Sequence, residues 1–126
     1  MRAAAPLALA AAVLLGAAQP ALAQSVYGAW ARDDGLVRSR IGPCGTQICA
    51  TNIWVKNPQG PEKAGDRLEM TLKEQSRGHW SGSAFDPQRD LTYAMTLTVD
   101  GRRMSTSGCI LGGVLCRAVG WRRVSR

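Results

Sequence analysis

The chain has 126 residues, with 16 lysines and arginines, 9 aspartates and glutamates, one histidine and four cysteines. A chain of this length buries one modest core, so there is no room for a separate catalytic domain, and a lone histidine with no CxxC pair supports neither a zinc module nor any other metal site. The net charge of +7 favours anionic partners such as envelope polymers, lipid head groups or acidic proteins, although arginine in such excess over lysine is also what a GC-rich genome's codons dictate.

The first 23 residues, MRAAAPLALAAAVLLGAAQPALA, carry one early charge at Arg2, an apolar run from Ala3 to Ala18, a helix-stopping Pro20 and a small-x-small ending at Ala21, Leu22 and Ala23. That is the anatomy of a secretory signal peptide cut before Gln24. The apolar run is shorter than the roughly 20 residues that span a bilayer, so a permanent anchor is not expected. No cysteine lies at the cut, the nearest being Cys44, so a lipid anchor is not expected either. Processing leaves residues 24–126 as a single periplasmic or secreted domain with 15 basic and 9 acidic residues, a net charge of +6. Export also argues against nucleic acid as a partner, and the processed chain is not expected to span a membrane.

Through the remaining sequence the apolar residues recur at every second position. The plainest cases are residues 67–74, where Leu68, Met70 and Leu72 alternate with Glu69, Thr71 and Lys73, and residues 91–99. There Leu91, Tyr93, Met95, Leu97 and Val99 share one face, against Thr92, Ala94, Thr96 and Thr98. Period two marks a half-buried strand. In chain order the predicted strands are 26–31, 36–41, 48–55, 67–74, 79–85, 91–99, 102–109 and 114–124. Turn signals separate them at Asp33-Asp34-Gly35, Gly42-Pro43, Asn57-Pro58 through Gly65, Arg77-Gly78, Asp86-Pro87 and Asp100-Gly101. No helical periodicity competes.

Eight short antiparallel strands in so few residues predict an all-β domain, a small up-and-down barrel of the lipocalin-like kind, because closure removes exposed sheet edges. A β-sandwich is the alternative. An outer-membrane barrel is disfavoured, since the outward faces carry Thr, Lys and Glu and few aromatic residues exist to form girdles. The interior of an eight-stranded barrel is either filled by side chains or holds one small ligand. If it is hollow, Trp54, Trp80 and Tyr93 are the aromatic residues expected to line it; if it is filled, both tryptophans pack the core.

Four cysteines allow three pairings, and export favours oxidation of them all. Cys44 and Cys49 enclose GTQI, and Cys109 and Cys116 enclose ILGGVL. Both stretches can turn the chain back on itself, so the expected disulfides are Cys44–Cys49 and Cys109–Cys116. Each small loop contributes about 2–2.5 kcal/mol in the chain-entropy account, against about 4 kcal/mol for a long-range link. Gly112 and Gly113 would form the turn of the second hairpin.

Catalytic candidates are thin. His79, Asp86 and Asp90 form the one imaginable acid-base set, but Asp86-Pro87 is ordinary turn chemistry and no serine or cysteine stands in a nucleophile context. No catalytic residue and no cofactor is expected.

Four segments, GAW at 28–30, DDGLVRSRIGPCGTQICATNIWV at 33–55, HWSGSAFDPQRDLTYAMTL at 79–97 and GCILGGVLCRAVGWRRV at 108–124, follow in an order that resembles the DUF2147 family. Its members are small exported bacterial proteins of unassigned function. The connection from Trp54 to Leu68 looks shorter than the acidic, proline-containing segment of many relatives, so a lid or site built there would be missing. The chain also resembles, more distantly, the calycin superfamily. That resemblance implies that Gly28 and Trp30 on the first strand and Trp121 and Arg123 on the last close one end of the barrel, with the guanidinium over an indole face. The expected function is that of a non-catalytic binding protein for a small ligand or an envelope component. Alternatives are a protein-binding module such as a hydrolase inhibitor and, more remotely, an enzyme acting on an envelope polymer.

Overall fold

A computed structural model describes residues 2–6, 8, 10–11, 26–110 and 112–126. The signal-peptide cleavage site expected before Gln24, and most of the apolar run expected to precede it, lie outside these residues. The eight strands are β1 (Gly28–Arg32), β2 (Val37–Cys44), β3 (Gln47–Val55), β4 (Arg67–Ser76), β5 (His79–Asp86), β6 (Leu91–Asp100), β7 (Arg103–Ile110) and β8 (Leu115–Ser125). Each pairs antiparallel with the next, and β1 pairs with β8, so the sheet closes into an up-and-down barrel rather than a sandwich. Closure gives every strand two partners and leaves no edge to template aggregation. Among the described residues no helix is long and apolar enough to cross a membrane.

The alternation read from the sequence sorts the wall into two faces. On β6, Met95, Leu97 and Val99 are buried while Ala94, Thr96 and Asp100 are exposed. With Trp30, Ile41, Met70, Trp80, Ala84 and Met104 they form the core inside the barrel. The end nearer the chain termini is the closed end. The tight turns after β2, β4 and β6 lie there, whereas the connections after β1, β3, β5 and β7 surround the other, open end.

Close approaches to neighbouring backbone require glycine at several positions, Gly28 and Gly82 among them. At Gly28, with φ of 132°, a Cβ would collide with the carbonyl of Ser125 and crowd the Arg123 guanidinium. At Gly82 it would collide with the Thr71 carbonyl on β4. Both disulfides are local. Cys44 and Cys49 join β2 to β3 with Cα atoms 5.7 Å apart. Cys109 and Cys116 are direct partners across β7 and β8, with Cα atoms 4.0 Å apart.

Candidate functional site

The closed end is plugged from within. Arg123 reaches inward from β8 and its guanidinium carbon sits 4.2 Å from the centroid of the Trp30 ring. Its Nη1 donates to the Tyr27 carbonyl at 2.8 Å, across 96 residues of sequence. Trp30, fully buried, donates from Nε1 to the Val26 carbonyl at 2.9 Å. Burial pushes the Arg123 pKa down, with Arg126 and Arg102 adding to the effect. The indole face supplies part of the stabilisation that water would otherwise give the charge. Trp121 lies one inward position along β8 and does not join this plug. Its Nε1 donates to Thr106 Oγ1 at 3.0 Å, and the ring forms part of the barrel wall.

Above the plug the interior is hollow. A cavity of about 710 Å³ opens toward the far end. Trp30, Met70, Met95, Leu97 and Met104 line its deeper part, with Tyr93 and Trp121 on the walls. Small residues at inward positions, Ala50 and Gly108, leave the space unfilled.

Of the three aromatic residues expected at a hollow interior, the structure puts one there. Tyr93 lines the cavity. Trp80 is buried in the core cluster and is not a lining residue; its Nε1 has no hydrogen-bond partner among the described residues. Trp54 is 44% exposed on the outer surface, which corrects the expectation that it lines the interior. The cause is a bulge. The β2–β3 register pairs Ser39 with Asn52 and Arg38 with Trp54, so Ile53 is an extra residue. Ile53 and Trp54 therefore both face outward, and Val55 turns back in to line the cavity. An inserted residue reverses the parity of every position beyond it.

The mouth is polar, and a segment held by ion pairs covers part of it. The segment 56–66, between β3 and β4, crosses toward β1, where Arg32 donates from Nη1 and Nη2 to the two oxygens of Glu62 at 2.6 and 2.7 Å. Its Nε donates to Asp34 Oδ2 at 2.9 Å, and the Arg32 side chain is only 9% exposed. From the β5–β6 turn, Arg89 donates to Asp86 Oδ2 at 3.0 Å and to the Pro61 carbonyl at 3.1 Å. The segment thus covers part of the mouth, fastened on two sides, so a short connection suffices where the resemblance implied that a lid would be missing. Hydrogen bonding to Arg32 holds the Glu62 carboxyl below its ordinary range, against the opposing effect of burial. Burial alone would push Asp86 up, but hydrogen bonds from Arg89 and Gln88 outweigh it and leave the carboxyl lowered. Arg117 also lines the mouth, where its charge acts on Glu62 and Asp34.

The imagined acid-base set is not assembled. His79 opens β5 at the closed end, bonding Thr98 Oγ1 at 3.3 Å, whereas Asp86 ends the same strand at the mouth. Asp86 instead caps its turn, accepting from the backbone N–H groups of Gln88 and Arg89 at 3.0 and 3.2 Å. Among the described residues no group of three His, Cys, Asp or Glu side chains is placed to hold a metal.

A family model described as an uncharacterized protein conserved in bacteria (DUF2147) matches residues 28–123. The chain belongs to this family. No curated protein and no solved structure matches. The DUF2147 span begins at the glycine that opens β1 and ends at Arg123. It therefore contains Trp30 and Arg123 of the plug, the cavity and the fastened mouth, and leaves out only the Val26 and Tyr27 carbonyls to which the plug bonds.

Proposed function

We propose that this chain is an exported, non-catalytic binding protein that holds one small amphiphilic molecule inside its barrel. The observation that carries the reading is the cavity of about 710 Å³, apolar at depth and polar at the mouth. Small-molecule sites have volumes of about 300–1,000 Å³ and the same division between apolar walls and a few polar groups. The deep aromatic and methionine side chains suit an apolar body, methionine adapting to irregular shapes. The mouth suits a polar group, with Arg117 among its lining residues. Glu62 and Asp86 are bound to arginines and held ionised, which supports binding rather than proton transfer. Two disulfides and a leader-like N-terminus support an oxidising location outside the cytoplasm.

Native mass spectrometry of protein purified from the exported fraction tests this, together with titration by the apolar dye N-phenyl-1-naphthylamine. The expected results are a non-covalent adduct of small mass and saturable dye fluorescence that an extracted lipid fraction displaces. Protein that flies without an adduct and takes up no dye would sink the proposal. Co-purification of a stoichiometric protein instead would move the reading to a protein-binding module.

A further inference from the structure

The outer wall carries a second feature, independent of the cavity. Strand register places Arg122 of β8, Ala31 of β1, Arg38 of β2 and Trp54 of β3 in one row around the barrel. Arg40 stands opposite Ala29 in the neighbouring row. Arg38, Arg40 and Arg122 are exposed, and the Arg38 guanidinium lies 5.5 Å from the centroid of the Trp54 ring. The β3 bulge sets Ile53 beside Trp54, so two consecutive large apolar side chains face solvent, 46% and 44% exposed, near Leu36 at 43%. Residues 35–61 contain Arg38, Arg40 and Lys56 but no aspartate or glutamate. The carboxylates that flank this stretch are engaged, Asp33 by Arg103 and both Asp34 and Glu62 by Arg32.

We infer that this face, formed by β8, β1, β2 and β3, docks on an anionic lipid bilayer. The arginines and Lys56 complement acidic head groups, and each basic residue near such a surface strengthens binding about fivefold. Trp54 is an interfacial side chain, with an apolar ring and a polar N–H, and Ile53 and Leu36 add apolar area to bury at the head-group boundary. The apolar trio decides the partner. A soluble polyanion would engage the charges and leave Ile53 and Leu36 wet, and a second copy of the chain would oppose the same positive charges. Leu36 also lines the cavity mouth, so docking in this orientation brings the opening next to the lipid surface.

The test uses the disulfide-intact full domain and vesicles of phosphatidylcholine, alone or mixed with phosphatidylglycerol. Co-sedimentation is expected only with the mixed vesicles and should weaken as salt is added. The pair Arg38→Gln and Arg40→Gln should weaken it on the order of twentyfold, whereas Arg77→Gln with Arg102→Gln, equal in charge but at the closed end, should have little effect. On the unmodified chain, brominated phosphatidylcholine in the mixed vesicles should quench a tryptophan signal that Trp54→Phe removes, a readout that needs no charge variant to fold. The inference is overturned by absence of vesicle binding, by equal losses from the two arginine pairs, or by undiminished binding to dextran sulfate combined with no bromine quenching. None of these results bears on whether the cavity takes up a dye.

Discussion

Two buried tryptophans in this barrel differ in the partners of the N–H and of the ring face, and those differences set their contributions. Trp30 has its N–H satisfied by Val26 and its face covered by Arg123. Trp80, 6% exposed, has no partner for its N–H among the described residues. A buried donor left unpaired costs about 1–3 kcal/mol, so removing it offsets much of the packing lost when indole becomes phenyl. Trp80→Phe is therefore expected to change stability by less than about 1 kcal/mol, while Trp30→Phe, which orphans a carbonyl and weakens the arginine stack, costs about 2–3 kcal/mol. Urea denaturation of both variants measures the contrast, and equal losses would show that Trp80 is not strained by its unpaired N–H. The same scale shows where sequence reading stops. Trp54 sits in a run whose alternation continues smoothly through Asn52, and nothing in the letters marks Ile53 as inserted. The bulge arises from how β3 must meet β2 and β4 at the barrel rim.

At the scale of elements, the eight strands were legible because period-two burial and turn residues are local signals. The fastening of segment 56–66 was not, since Arg32 and Glu62 are 30 residues apart and meet only once the barrel has closed. That fastening has a pH dependence with a definite sign. Glu62 has a folded pKa below its ordinary 4.5, so its contribution is fully present above pH 4.5 and is lost as pH falls through the lower, folded value. Asp34 and Asp86 are also lowered, from 3.8, and are lost in the same direction further toward acid. Arg32 and Arg89 stay charged throughout. Dye release, followed by stopped-flow fluorescence, is therefore expected to be constant from pH 8 to about 5 and to quicken below about 4.5. Glu62→Gln should quicken release at neutral pH by about fivefold, equivalent to about 1 kcal/mol for a partly exposed pair, and flatten the acid limb. A variant that kept the original limb would assign it to Asp34 and Asp86 instead.

For the whole molecule, the hollow interior is a choice against stability. Close packing normally leaves few voids larger than a water molecule, and a cavity of about 710 Å³ forgoes contacts that filled barrels make. Whether an eight-stranded barrel is filled or hollow depends on summed side-chain volumes across all its strands. Sequence alternation reports which residues point inward, but not whether together they suffice. Ala50 on β3 and Val119 on β8 are both lining residues with small side chains. Ala50→Leu combined with Val119→Phe should therefore raise stability by about 1–2 kcal/mol, a melting temperature gain of about 4–8 °C or more for a domain of this size, while abolishing dye uptake. Opposite movement of the two measurements is the signature of a cavity kept open for an occupant. A variant that lost stability together with dye uptake would mean that the space is already matched to the side chains around it. The vesicle-binding face lies on the other side of the same wall, so this double variant should dock on anionic vesicles as the parent does, and the two surfaces can be assigned separate roles.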